Sequence, residues 1–409
     1  MSEALRRWLM MNLMSNTIFV YVGIFINLFI WEKNRLIPEV AWYNLLVYLT
    51  WAFAFAAAAR WLARTTVRPL LAVSAFAGAS AFIVLSFVEV DNRLLWIAMI
   101  AVPVGIMYGF YAAAQNLSVS MSGTNAELGR FFSVTGSIQQ ILNLAIPLLS
   151  AVLIFYTGYL GSFALMFVFL VCMLVYSFAM PKISSRDQHA AGDRTPLFAW
   201  LWTQLRRKPG LRWFSASNLA AGVFLQFQQL FLLVFTFSVT ENKFWIAGLN
   251  ALYTIATLAG LFLYRKYSWK DSTLLMIGCT LVAAGFLIVL VPAKPLLIVS
   301  NVLTAVGLFC FAAAWNTMQI KWVKPYAIPD QAKLLIWRET LICVTRIGML
   351  LIVLSLDDIR GGLFNALIGI SLACLLAVPY FEHRAKKTLE QDGSTSPLPA
   401  TDRKSGMPS

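Results

Sequence analysis

Acidic residues and histidine are scarce in this 409-residue chain. It has two histidines, His189 and His383, and 18 Asp plus Glu against 32 Lys plus Arg. Both histidines fall in loops of the reading below, so a histidine-based metal or catalytic centre inside the apolar segments is excluded by count. The five cysteines, Cys172, Cys279, Cys310, Cys343 and Cys374, lie in apolar runs without a Cys-x-x-Cys pair. They read as small core residues, not as a disulfide framework or a thiolate metal site. No Gly-rich Walker segment ending in Gly-Lys-Ser/Thr occurs, so the chain offers no ATP site of that kind. Paired carboxylates are missing from the apolar segments as well, which disfavours an intramembrane enzyme. No cofactor is expected.

What remains is apolar. Hydrophobic residues make up 60% of the chain and charged ones 12%, with a mean hydropathy of +0.74. Soluble domains carry roughly twice that charged share. Apolar stretches long enough for about 30 Å of hydrocarbon recur along the whole length. Twelve membrane spans are predicted, at about 13–31, 41–60, 69–88, 94–115, 131–155, 159–181, 211–237, 244–264, 272–291, 296–319, 335–355 and 361–381. Arg6 and Arg7 precede the first, and "WEKNRLIPE" follows it without a small-residue cleavage site, so it reads as an uncleaved anchor.

The basic residues orient this layout. With both termini in the cytoplasm, the outer loops hold only Lys33, Arg35, Arg93, Lys243, Lys294 and Arg360. All other Lys and Arg lie inside except Arg346, which falls within a span. That is the positive-inside signature, and it accounts for the net charge of +14 without nucleic acid. A bacterial cytoplasmic membrane is the expected location.

The chain divides into an N-terminal six-helix bundle (1–185), a central loop (186–210), a C-terminal six-helix bundle (211–383) and a tail (384–409). The loop ends in "LFAWLWTQLRRKPG", read as an amphipathic helix on the inner surface. The tail is rich in Ser, Pro and charge and is read as disordered. The two bundles echo each other. "YAAAQN" ends the fourth span at Asn116, and "FAAAWN" ends the tenth at Asn316. Ser15–Asn16 and Asn27 in the first span match Ser217–Asn218 and Gln229 in the seventh, both 202 positions on. Such duplication is typical of secondary transporters, whose substrate sits between the halves.

Twelve spans as six plus six with a basic central loop resemble the major facilitator superfamily, over about residues 10–385. That family carries a Gly-x-x-x-Asp-Arg-x-Gly-Arg-Arg loop after its second span. "ARWLARTTVR" (Ala59–Arg68) stands there, keeping Arg64 and Arg68, with Ala63 for the Asp and Thr66 for the second Gly. The second copy, "GLFLYRKYSWK", keeps Gly260 and Arg265 and has Tyr264 for the Asp. "GSIQQILNLAIPLLSA" in the fifth span keeps Pro147, Ser150 and Ala151 of the family's antiporter pattern, which tilts the expectation towards export. "WRETLICVTRIG" with the Asn-ended fourth span resembles, more loosely, a small group of bacterial YqgE-type membrane proteins. The resemblance implies an all-α membrane fold, alternating access, proton coupling and a small-molecule substrate. The protein is expected to act as a monomer. An uncoupled facilitator, or a transporter-like sensor without flux, stays open as an alternative.

Polar residues in apolar segments mark the candidate site. Asn12, Asn16, Gly23 and Asn27 share one face of the first span, and Asn218, Gly222, Gln226 and Gln229 one face of the seventh. They line either a central cavity or helix–helix contacts. Gln139 in the fifth span stands 207 positions before Arg346 in the eleventh. By the resemblance these spans also border the cavity. Asn116 and Asn316 read as caps or gate contacts. Trp315 and Tyr253 lie where they can stack on a ligand or simply fill the core.

Arg346 is the strongest feature. It cannot readily lose its proton and needs a partner in hydrocarbon. Three readings remain open: an anchor for an anionic substrate group, a switching pair with Glu339 that couples protons, or a structural residue. Glu339 lies seven positions earlier, about 10 Å along the helix axis. No acidic residue is placed deep in any other span, so Glu339 is the only intramembrane proton carrier expected. A site with one positive charge, amides and aromatics suits an anionic or zwitterionic solute.

Overall fold

The computed structural model describes residues 3–62, 65–88, 90–120, 125–181, 197–239, 242–267, 270–291, 293–323, 326, 328–356 and 361–394. Every regular element among them is a helix. Runs of Leu, Ile, Val, Phe and Ala without regular polar interruptions cannot satisfy their backbone in hydrocarbon except as helices.

The first half holds α1 (Glu3–Asn34), α2 (Ile37–Leu62), α3 (Val67–Phe87), α4 (Arg93–Ser120) and α5 (Asn125–Ala179). A short helix, α6 (Leu197–Arg207), carries Trp202 outward under the Arg206 guanidinium, 4.8 Å from the ring centre. The second half holds α7 (Pro209–Val239), α8 (Lys243–Tyr267), α9 (Asp271–Val289), α10 (Lys294–Val323), α11 (Ile328–Val353) and α12 (Gly362–Ser394).

Nine of these helices are long and apolar enough to cross a bilayer, by length and composition, among the described residues. The 46-residue Val134–Ala179 stretch of α5 counts as one of them and is twice the needed length. It breaks at Gly158, whose φ of 71° and ψ of −177° lie in a region closed to side-chain-bearing residues. The break yields two spans. The apolar Phe244–Gly260 core of α8 supplies another. The twelfth is α11, which falls short on apolarity because it carries Lys333, Arg338, Glu339 and Arg346. The predicted count of twelve agrees with this arrangement.

The second half differs from the prediction at its end. The sequence pattern places the last span at 361–381 and a tail from 384, but α12 continues to Ser394. Pro379 sits within it, and the helix runs on through "YFEHRAKKTLEQ". Glu382 is thereby brought into the bundle, 3% exposed.

Each half packs around an aromatic core. Phe25, Phe82 and Phe163 form the N-terminal one together with Tyr21. Phe227, Phe231, Phe286 and Phe364 form its counterpart on α7, α9 and α12. Edge-to-face and tilted ring pairs of this kind add roughly 0.5–1.5 kcal/mol each beyond burial. In α1, the turn Val22–Ile26 is a π-helix. The Asn27 amide donates to Gly23 O at 2.9 Å within that turn. A π-turn loosens the regular ladder, and the side-chain bond compensates.

Between the halves, α2 packs along α11 and α5 along α8. Within the second half, α7 lies close on α11. A Cβ on Gly222 would stand 1.9 Å from Thr345 Oγ1 and 3.2 Å from Ile342 Cα. Only hydrogen fits there. Gly222→Val is expected to push α7 from α11 at a cost of about 1–3 kcal/mol. Thermal unfolding of the purified protein checks this, with Gly348→Ala on α11, which meets nothing within 4 Å, as the neutral control.

Candidate functional site

The site is built around α11. Arg338, Glu339 and Arg346 turn towards the seam, where α2 of the first half packs along α11. A cavity of about 250 Å³ lies there. Trp51 of α2, Leu225 of α7, Trp315 and Asn316 of α10, and Arg338, Glu339 and Arg346 of α11 border it.

Arg346 lies over the Tyr48 ring, 4.9 Å from its centre. Its Nε is buried without a hydrogen-bond partner. Tyr48 itself stacks on Trp51, 5.8 Å between ring centres, and its hydroxyl donates to Gln229 Oε1 at 3.0 Å. One tyrosine thus touches both the arginine and an amide of the opposite half. The ring face offers the guanidinium electron density without neutralising its charge.

Glu339 is paired with Arg338, 3.0 Å from Nη1, rather than with Arg346. Arg338 also donates to Asn316 Oδ1 and lies 4.8 Å over the Trp315 ring. Arg338 was expected only as an interfacial charge at the end of its span; the structure makes it a cavity residue. Two positive groups and one negative group therefore border one small cavity.

The other candidates separate into two groups. Gln229 stands exposed between the halves and meets Tyr48. Gln226 is 1% exposed, and its Oε1 has no hydrogen-bond partner. Gln139 of α5 donates to Asn143 of the same helix at 2.9 Å, and Asn16 is half-buried on α1. Asn27 is held inside the first half, accepting from Asn44 of α2 at 2.9 Å. Asn12 accepts from the Tyr111 hydroxyl of α4. These two amides join helices instead of facing the cavity, so only part of the α1 stripe contributes. The Tyr253 hydroxyl accepts from the Asn301 amide at 3.1 Å and meets the Thr236 hydroxyl at 3.5 Å, so it belongs to the buried core.

In the loop motifs, Arg68 Nε donates to Met180 O at 2.7 Å, tying α3 to the end of α5. Gly260 packs against Val306 at 3.2 Å from its would-be Cβ. Arg64 and the side chains of Asn116 and Arg265 lie outside the described residues.

Among the described residues, the bonds and ring contacts that join the halves lie towards one end. Tyr48 meets Gln229 and Arg346, and Phe155 of α5 meets Phe244 of α8 at 5.2 Å. This end is opposite the one at which α1 begins and α12 finishes. The cavity lies on the terminal side of the Tyr48 contacts.

Sequence reasoning missed three residues of this arrangement, Tyr48, Trp51 and Arg338, and a fourth that lies outside it, Glu382. Tyr48 and Trp51 are three apart on α2, a spacing that puts them on one face. Nothing in the sequence says which face that is.

Two six-helix halves with a polar cavity between them and closure at one end define a polytopic transporter fold. The comparisons agree. The sequence matches the Major Facilitator Superfamily over residues 8–326, and the chain belongs to that family. No curated protein sequence matches it. Among solved structures it is similar to a POT family transporter in complex with 5-aminolevulinic acid, with a TM-score of 0.69 and 11% identity over 94% of this chain and 96% of that one. It is similar to the nucleoside transporter NupG (TM-score 0.63, 12% identity, 95% and 100% covered). A bacterial homologue of the iron transporter ferroportin in its inward-facing state gives 0.63 at 12% identity, covering 94% and 99%. The protein is thus a multi-pass membrane transporter of a small solute.

Tyr48 is expected to hold the closed end shut. Its ring contact is worth about 0.5–2 kcal/mol and its hydrogen bond about 0.5–1.5. Spin labels at the exposed Tyr156 and Trp245 should report one short separation, and Tyr48→Ala should add a longer one.

Proposed function

We propose that this protein is a secondary active transporter that moves a small organic anion or zwitterion across the bacterial cytoplasmic membrane by alternating access. One observation carries the reading: Arg346 points into the cavity between the halves with a buried Nε that no protein group satisfies. An unpaired charge in such a place costs several kcal/mol, and a substrate carboxylate or phosphate relieves that cost. Tyr48, Trp51 and Trp315 supply ring faces for the apolar part of the solute. Gln226 and Gln229 offer amides at the same depth on α7.

In this reading both termini are cytoplasmic, and the state described here faces inward, closed on the outside by Tyr48, Gln229, Phe155 and Phe244. Anion binding competes with the ring contact that Arg346 makes to Tyr48. Releasing Tyr48 loosens the outer closure, which links occupancy to the change of state. Glu339 carries the coupling proton. Protonation frees Arg338 from its carboxylate partner, and deprotonation restores the pair. The direction is export, and the unit is a monomer.

Counterflow in proteoliposomes tests this. Anionic and zwitterionic metabolites should be taken up, and cationic dyes should not. Arg346→Gln should lower anion flux by about ten- to hundredfold, the worth of a charged hydrogen bond at about 1.5–3 kcal/mol. Arg346→Lys should retain part of it, and Glu339→Gln should remove the response to a pH gradient while leaving counterflow. Cation flux that survives Arg346→Gln sinks the proposal.

A further inference from the structure

The buried carboxylate of Glu382 has no part in the cavity described above, yet it is wired to it. Glu382 lies on α12 and is 3% exposed. Its Oε1 accepts from the Ser217 hydroxyl of α7 and from the Gln319 amide of α10. Asn218 Nδ2 fixes Gln319 by donating to its Oε1 at 3.0 Å. The indole N–H of Trp315 donates to Ser217 Oγ at 3.1 Å. The opposite feature of Trp315, its ring face, supports Arg338 at 4.8 Å, and Arg338 holds Glu339 and Asn316 at the cavity wall. A continuous chain of contacts therefore runs from Glu382 through Ser217 and Trp315 to the charged pair on α11.

On its other side Glu382 borders a second, larger cavity of about 820 Å³ between α9, α10 and α12, at the end where α12 finishes. That cavity gives the carboxyl a route to solvent. The charged and titratable groups around it come from each neighbouring helix. Asp271 of α9 is ion-paired with Lys321 of α10 at 2.5 Å. Lys270, His383 and Lys386 stand at the cavity rim. Arg212 at the start of α7 is turned away, donating to Leu205 O and Arg206 O. Arg338 of α11 acts on Glu382 electrostatically without an ion pair between them.

We infer that Glu382 is a proton-binding site, separate from Glu339, whose charge state is passed to Arg338 through Ser217 and Trp315. The chemistry favours a proton over a metal cation. Both groups that reach Oε1 are donors, and the Ser217 oxygen is already engaged by the indole. A metal ion needs several oxygen ligands, and the described residues contain no cluster of metal-ligating side chains. Both donors reach Oε1, leaving Oε2 to take the proton. The reaction is simple: a carboxylate and a proton give a carboxylic acid. Neutralised Glu382 attracts the Ser217 hydroxyl less strongly, since hydrogen bonds to ions are roughly twice as strong as neutral ones. Ser217 then accepts from Trp315 in a changed geometry, and the support under Arg338 changes with it.

The test uses the full-length protein in lipid nanodiscs. Infrared difference spectra across an acid–base titration should show a carboxylic acid C=O band that fades as pH rises. The band should persist in Glu339→Gln and be missing in Glu382→Gln. Glutamine keeps the acceptor oxygen, so Glu382→Gln should melt within a few degrees of wild type, whereas Glu382→Leu should not. The pH-dependent part of the tryptophan emission should be lost in both Glu382→Gln and Trp315→Phe. An unchanged band in Glu382→Gln overturns the inference. So does loss of the band together with an unchanged pH response of Trp315. Titration at Glu382 in a protein that moves no anion upholds this site and overturns the transport reading instead.

Discussion

A guanidinium that cannot shed its charge is the constraint around which this molecule is arranged. Arg346 must be kept from lipid, and the chain does this by placing it at the seam of two bundles. The seam needs a surface that tolerates a cation without cancelling it. Tyr48 provides that surface, and Trp51 stacks behind it. The Tyr48 hydroxyl is free to reach across to Gln229. Solvating one charge and closing one end of the protein are therefore the same act, performed by one aromatic ring.

The same economy shapes α11 as a whole. A helix with five charged side chains, Asp330 in its first turn among them, is a poor membrane segment, and it is shielded on several sides. Gly222 lets α7 approach it at backbone distance. α2 covers it from the opposite half. Trp315 and Asn316 of α10 take up Arg338. The helix least suited to lipid is thus flanked by both halves, and Arg338, Glu339 and Arg346 border the space the helices leave between them.

Much of this was legible in the amino-acid sequence, and the reasons differ by residue. Long apolar runs have no alternative to helices in hydrocarbon, so the spans and the six-plus-six division could be read directly. Arg346 stood out because a lone arginine in such a run is costly. The amide stripes were ambiguous by nature. Asn27 and Gln229 occupy matching places, yet Asn27 bonds Asn44 within its own half and Gln229 reaches the other half. An amide satisfies itself with whichever neighbour the packing supplies, and one sequence does not reveal the neighbour. Glu382 was missed for another reason. It follows the last strongly apolar residues and precedes a basic stretch, so it looks like the start of a soluble tail. Its burial comes from Ser217 and Gln319, which are 165 and 63 positions away.

The length of α12 carries a consequence of its own. At 33 residues it measures roughly 50 Å, well beyond the 30 Å of a bilayer's hydrocarbon. Glu382 anchors it to α7 and α10. A rigid rod pinned near its middle magnifies small rotations at its free end. A tilt of the second half too slight to resolve among packed side chains would sweep the tip through a larger arc. The end of α12 near Ser394 is therefore the natural place to attach an optical label that follows the protein as it works.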